Sequence, residues 1–216
     1  MRSIPLSLLA GCFLFGATLH AVETVKVVVR TTLDGKPVAD AVVSAQPIDH
    51  PAALATPGTT AQIEQKGQEF LPYVTAIQVG ATVNFPNHDT VQHHIYSLSK
   101  AKRFEIPLYK SGASESVVFD TPGLITIGCN IHDWMLAYIV VLPTPYFAKT
   151  DETGAAALPP LPPGRYRLEI WHPRATAPLV QEIVSAPDQT AVLEFSVALK
   201  PDKRIRRAPS GKSSEY

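Results

Sequence analysis

Cys129, His132 and Met135 stand at three-residue steps in the string GLITIGCNIHDWMLAYIVV. An apolar β-type run, 124–127, leads into Cys129, and a second, 136–142, leaves Met135. The loop between them is a tight crossing at one end of a sheet. It can turn a thiolate, an imidazole and a thioether toward one point. Those groups are metal ligands. Thiolate and thioether are soft and stabilise Cu(I), while imidazole serves both oxidation states. One thiolate and two imidazoles in a plane, with a long axial thioether, make the blue-copper arrangement. Zinc is normally held by more Cys or His, or by a carboxylate, and rarely by Met. The expected cofactor is one mononuclear copper ion at a type 1 site.

A second imidazole must come from another strand, and VNFPNHDTVQHHIYS contains His88, His93 and His94. His88 falls in the turn and reads as a solvated loop residue. His93 and His94 are strand neighbours and point to opposite faces, so only one of them can face the site. The residue pattern alone leaves both open.

The elements that must position these residues are strands. Short runs rich in Val, Ile, Tyr, Phe and Thr alternate with turn residues along the 216-residue chain, which holds 12 Gly and 20 Pro. Expected strands cover 24–30, 41–45, 61–65, 75–79, 82–85, 92–98, 103–108, 115–119, 123–128, 136–142, 155–158, 165–171, 180–184 and 191–199. Such spacing signals an all-β chain built from sandwiches or barrels. The formal net charge of +0 gives no basic field for nucleic acid. From Lys200 onward the chain carries six basic and two acidic residues with Pro, Ser and Gly, and 200–216 reads as a disordered basic tail.

The first 21 residues read as an export signal. Arg2 supplies the positive start, 4–19 is mostly apolar, and Ala21 is the cleavage residue. The apolar stretch is short for a membrane span. Leu9-Ala10-Gly11-Cys12 also looks like a bacterial lipobox, so a lipid anchor at Cys12 is the alternative to soluble export. With the signal removed, Cys129 is the one cysteine left. An exported chain with a lone thiol cannot form an internal disulfide, which favours a ligand role over an idle thiol.

Two resemblances bear on these motifs. The string EFLPYVTAIQVGATVNFPN, with Phe70, Pro72, Gly80 and Asn87, together with CNIHDWM and TPYF, makes 62–145 similar to the cupredoxins. Within them it resembles the plastocyanin/amicyanin-like methylamine utilisation proteins. The Cys-x-x-His-x-x-Met spacing is that of the short, amicyanin-type loop. The resemblance places the remaining ligand at His93, with His94 where cupredoxins carry Asn. It implies a ligand set of His93, Cys129, His132 and Met135, with Asn87 tying the two ligand loops together. Asp133 and Ile131 depart from the usual loop residues. Trp134 is expected either over the site, on a docking surface or in the core.

VKVVVRTTLDGKPVADAVVSAQP and KTDETGAAALPPLPPGRYRLEIWHP resemble the two halves of a carboxypeptidase-regulatory or transthyretin-like β-sandwich. The expected fold is therefore an all-β, cupredoxin-type Greek-key sandwich (61–145) set into a second, small transthyretin-like sandwich (22–60 and 146–199). The alternative gives the first strands to the metal domain's own sheet.

Four protein ligands leave no open coordination position, so the chain is expected to be an electron carrier and not an enzyme. The resemblance implies a periplasmic protein exchanging single electrons with a redox partner, a cytochrome or an oxidoreductase, in a setting linked to amine oxidation. Two other readings use the same residues: a copper-binding or delivery protein, and an interaction module whose metal only stabilises the fold. His172 and the pair Tyr146 and Phe147 read as structural residues.

Overall fold

The computed structural model describes residues 24–53, 58–186 and 190–203. The expected export signal, Cys12 included, and the tail from 204 lie outside these residues. The described chain is all-β. In order, its strands are β1 (Thr24–Thr31), β2 (Val42–Pro47), β3 (Thr60–Gln62), β4 (Glu64–Gln65), β5 (Phe70–Leu71), β6 (Val74–Gln78) and β7 (Ala81–Pro86). Then come β8 (His93–Ser97), β9 (Phe104–Tyr109), β10 (Ser114–Phe119), β11 (Gly123–Gly128) and β12 (Leu136–Leu142). The last are β13 (Phe147–Lys149), β14 (Ala155–Ala157), β15 (Gly164–Trp171), β16 (Leu179–Ser185) and β17 (Thr190–Val197). Among the described residues no helix is long and apolar enough to cross a membrane.

The middle of the chain forms one sandwich. A five-stranded sheet, β6-β12-β11-β8-β9, faces a three-stranded sheet, β10-β7-β3. The chain passes from β6 to β7, from β7 to β8, from β9 to β10 and from β10 to β11 by changing sheets. Period-two alternation fills the space between them. Ala81, Val83 and Phe85 of β7 and Ile125 and Ile127 of β11 are all buried in one core with Phe119 and Ile139. Burying each of the Val, Ile and Phe side chains stabilises the fold by about 1.5–3 kcal/mol.

The outer parts of the sequence form the second sandwich. β1 runs between β14 and β17, and β2 lies between β13 and β15, with β16 at the edge. Val25, Val27 and Val29 alternate inward from β1 and meet Val43, Tyr166, Leu168 and Ile170. Among the described residues, β1 and β2 pair with strands from 147–197 and not with the central sheets. A small apolar seam of Val42, Val74 and Val140, bordered by Tyr73, Tyr138 and Trp171, joins the two sandwiches.

The strands differ from the sequence expectation in detail. The run 61–65 breaks at buried Ile63, whose N–H donates to the Asn84 carbonyl at 2.9 Å. β3 then pairs with β7, and β4 with β5. Phe147 lies in β13, while Tyr146 packs edge-on against Tyr166. His172 is buried, and its Nδ1 accepts the Arg174 N–H at 3.2 Å. The predicted tail has a fixed start: the Lys200 N–H donates to the Arg174 carbonyl at 2.8 Å, and Arg174 Nε donates to the Lys200 carbonyl at 2.7 Å.

Candidate metal centre

Strand alternation places the thiol. Ile125 and Ile127 face the core, and Cys129, two residues further, continues the same inward face at 4% exposure. β8 is the neighbour of β11, with Gly128 opposite Tyr96. His93, at the start of β8, therefore lies beside the end of β11. It is fully buried. Between His93 and Ile95 the β8–β9 register shifts, which lets His93 and Ile95 sit opposite Tyr109 and Ile106. His132 comes from the turn after β11, which closes when the Met135 N–H donates to the His132 carbonyl at 3.0 Å.

The three groups converge. Cys129 Sγ lies 3.9 Å from His93 Nδ1 and 3.6 Å from His132 Nδ1. All three donor atoms fall within 4.8 Å of one another. Ligands of one ion, with a metal–sulfur bond of about 2.3 Å and a metal–nitrogen bond of about 2.05 Å, stand about 3.6 Å apart at a tetrahedral angle and about 3.8 Å apart at a trigonal one. The sulfur-to-nitrogen spacings suit a shared ion. Met135 is 3% exposed and packs in the same core cluster as Cys129. A thiolate and two imidazoles that can share one ion, with a buried thioether in the same core cluster, are a donor set whose chemistry fits copper.

The hydrogen bonds around the donors favour a thiolate at Cys129. Burial opposes ionisation of the Cys129 thiol. A hydrogen bond from His93 and backbone N–H groups of His94, Ile131 and His132 outweigh it and hold the thiol below its ordinary range. Burial likewise works against a charged His93, yet its contacts with Cys129 and Asp89 raise its pKa overall. His93 Nε2 donates to Asp89 Oδ2 at 2.8 Å, which leaves Nδ1 to face the sulfur.

His94 takes the other face. Its Nε2 lies 2.9 Å from Glu105 Oε1, away from the thiol, and it touches the cluster through its backbone. His88 pairs with Glu64 at 2.7 Å. Trp134 is half-buried beside the site. Its ring centroid lies 5.3 Å from that of His132, and its indole N–H donates to the Gln68 carbonyl at 3.0 Å. Ile131, next to His132, is 49% exposed. The turn also walls a cleft of about 580 Å³ against Arg174 and Lys200.

Asn87 acts differently from the expectation. Its amide donates to the carbonyls of Val91 at 2.9 Å and Tyr109 at 3.3 Å, and its Oδ1 accepts the Asp89 N–H at 2.9 Å. These bonds shape the turn before β8 and fasten it to β9; they do not reach the 129–135 loop. Asp89 is the site residue that sequence reasoning missed. The available signal was a carboxylate four residues before His93, but its partners come from a distant turn.

No family model matches the chain, and no curated protein does. Among solved structures, a copper-containing nitrite reductase from Thermus scotoductus matches at 28% identity and TM-score 0.37, over 45% of this chain and 25% of that one. A purple cupredoxin from Nitrosopumilus maritimus matches at 28% identity and TM-score 0.35, over 38% of this chain and 99% of its own. A reduced variant of amicyanin matches at 19% identity and TM-score 0.37, over 46% of this chain and 98% of its own. This chain is similar to each over less than half of its length.

Proposed function

We propose that this chain is a type 1 copper protein that carries single electrons between redox partners in an exported, periplasmic setting. The observation that carries the reading is the convergence of His93, Cys129 and His132 donor atoms within 4.8 Å. Copper supplies a one-electron couple when bound. The protein's part is to hold the donors and exclude water. Cys129 gives a soft, electron-rich sulfur from the end of a rigid strand. His93 is fixed from behind by Asp89. Met135 brings a thioether from the same loop, and its burial keeps solvent off that side.

Half-buried His132, flanked by Trp134 and exposed Ile131, gives the centre an edge near the surface. Electrons would pass there to a docked cytochrome or oxidoreductase, and amine oxidation is the process we propose it serves. Voltammetry of the copper-loaded chain tests the carrier role. A reversible one-electron wave, with rapid oxidation by a c-type cytochrome, is expected. A colourless adduct that yields its copper readily to a chelator contradicts it.

A further inference from the structure

Asp89 lies in the turn between β7 and β8, and both of its oxygens are engaged. Oδ2 accepts from His93 Nε2 at 2.8 Å and from the Gln68 N–H at 2.9 Å. Oδ1 accepts from the Gly67 N–H at 2.6 Å. The side chain is 12% exposed, so three donors and near-burial hold the carboxylate in one place. Gln68 adopts φ +57° and offers its carbonyl to Trp134. Trp134 in turn packs at a tilt against the His132 ring. One short turn thus reaches the back of His93 through Asp89 and the His132 side through Trp134.

We propose that Asp89 is a positioning residue for the metal centre, fixing His93 with Nδ1 toward Cys129 and locking both ligand segments to the 67–68 turn. The proposal rests on the copper reading. A neutral imidazole carries one N–H. An acceptor at Nε2 keeps the proton there and leaves the Nδ1 lone pair for the ion. A negative acceptor also makes the ring a stronger donor. A stronger donor favours the more highly charged Cu(II), so Asp89 lowers the reduction potential. Asparagine cannot replace it fully: its NH₂ would face a Gly67, Gln68 or His93 donor.

Two measurements test this in the full chain. The first needs no metal. In a Cys129→Ala background, which removes the competing thiolate, side-chain ¹H–¹⁵N NMR at alkaline pH reads the His93 tautomer. The Nε2–H form is expected with Asp89 present, and a mixture or the Nδ1–H form with Asp89→Ala. The second, with Cys129 intact, reads Cu(I) affinity by chelator competition and the reduction potential by voltammetry. Asp89→Ala should weaken binding about 10–100-fold and raise the potential. Asp89→Asn should shift both in the same direction by less, and Asp89→Glu should restore part of each. An unchanged tautomer, affinity and potential, with only thermal stability lowered, would reduce Asp89 to a turn residue and overturn the proposal. If the wild-type chain takes up no copper, the copper reading fails, and the tautomer comparison still decides the role of Asp89.

Discussion

Cys129 Sγ and His132 Nδ1 lie 3.6 Å apart, although the two residues are separated by only three steps of chain. The turn closed between Met135 and His132 brings them together, and the inward phase of β11 aims the sulfur. The second imidazole arrives from β8, a hydrogen-bonded neighbour of β11. The centre is thus a meeting of two adjacent strand ends.

The choice of His93 over His94 is open to direct test. His93→Ala removes a proposed donor and should lower Cu(I) affinity by about 100-fold or more, beyond what loss of an outer partner costs. His94→Ala keeps the backbone N–H that supports Cys129. It should leave affinity essentially unchanged. Chelator competition on both variants measures this, and equal losses would refute the assignment.

The ligand loop was legible in the sequence because Cys129, His132 and Met135 are local and their flanking runs define the strands. His93 and His94 were not separable by residue pattern, since either face of β8 could have pointed at the thiol. The strand pairing puts His93 beside Cys129 and turns His94 to Glu105. Asp89 was invisible for a related reason: Gly67 and Gln68 lie more than 20 positions away. β5 and β13 have two and three residues, too few to show alternation. Asn87 has the expected type and position, but its bonds turn inward to its own turn and to β9.

The second sandwich makes a backbone prediction. Gly154 has φ +77°, and a Cβ there would drive into the Val29 carbonyl oxygen. Val29 also donates its N–H to the Gly154 carbonyl at 2.8 Å, so neither side can give way freely. Gly154→Ala should cost more than about 2 kcal/mol in urea unfolding. A loss below about 0.5 kcal/mol, the range of ordinary surface changes, would show that this turn is not held as described.

Acid stability should depend on the same turn. The Asp151 carboxyl is held below its usual range by the Thr153 hydroxyl and by the N–H groups of Ala155 and Thr153. A depressed folded pKa means that the folded chain binds fewer protons than the unfolded one. The stabilisation is full above the unfolded value of about 3.9 and is lost as pH falls through the folded value. Asp151→Asn should therefore lower stability at neutral pH and flatten the decline below about pH 4. Thermal melts across pH 2–7 check this; an acid limb of unchanged slope would contradict it.

The central claim is that Cys129 binds copper as a thiolate. Its most direct measurement is the visible absorption spectrum of the Cu(II)-loaded chain beside Cys129→Ala treated identically. An intense sulfur-to-copper charge-transfer band in the wild type, absent from Cys129→Ala, is the predicted result. Identical spectra from the two proteins would contradict the account.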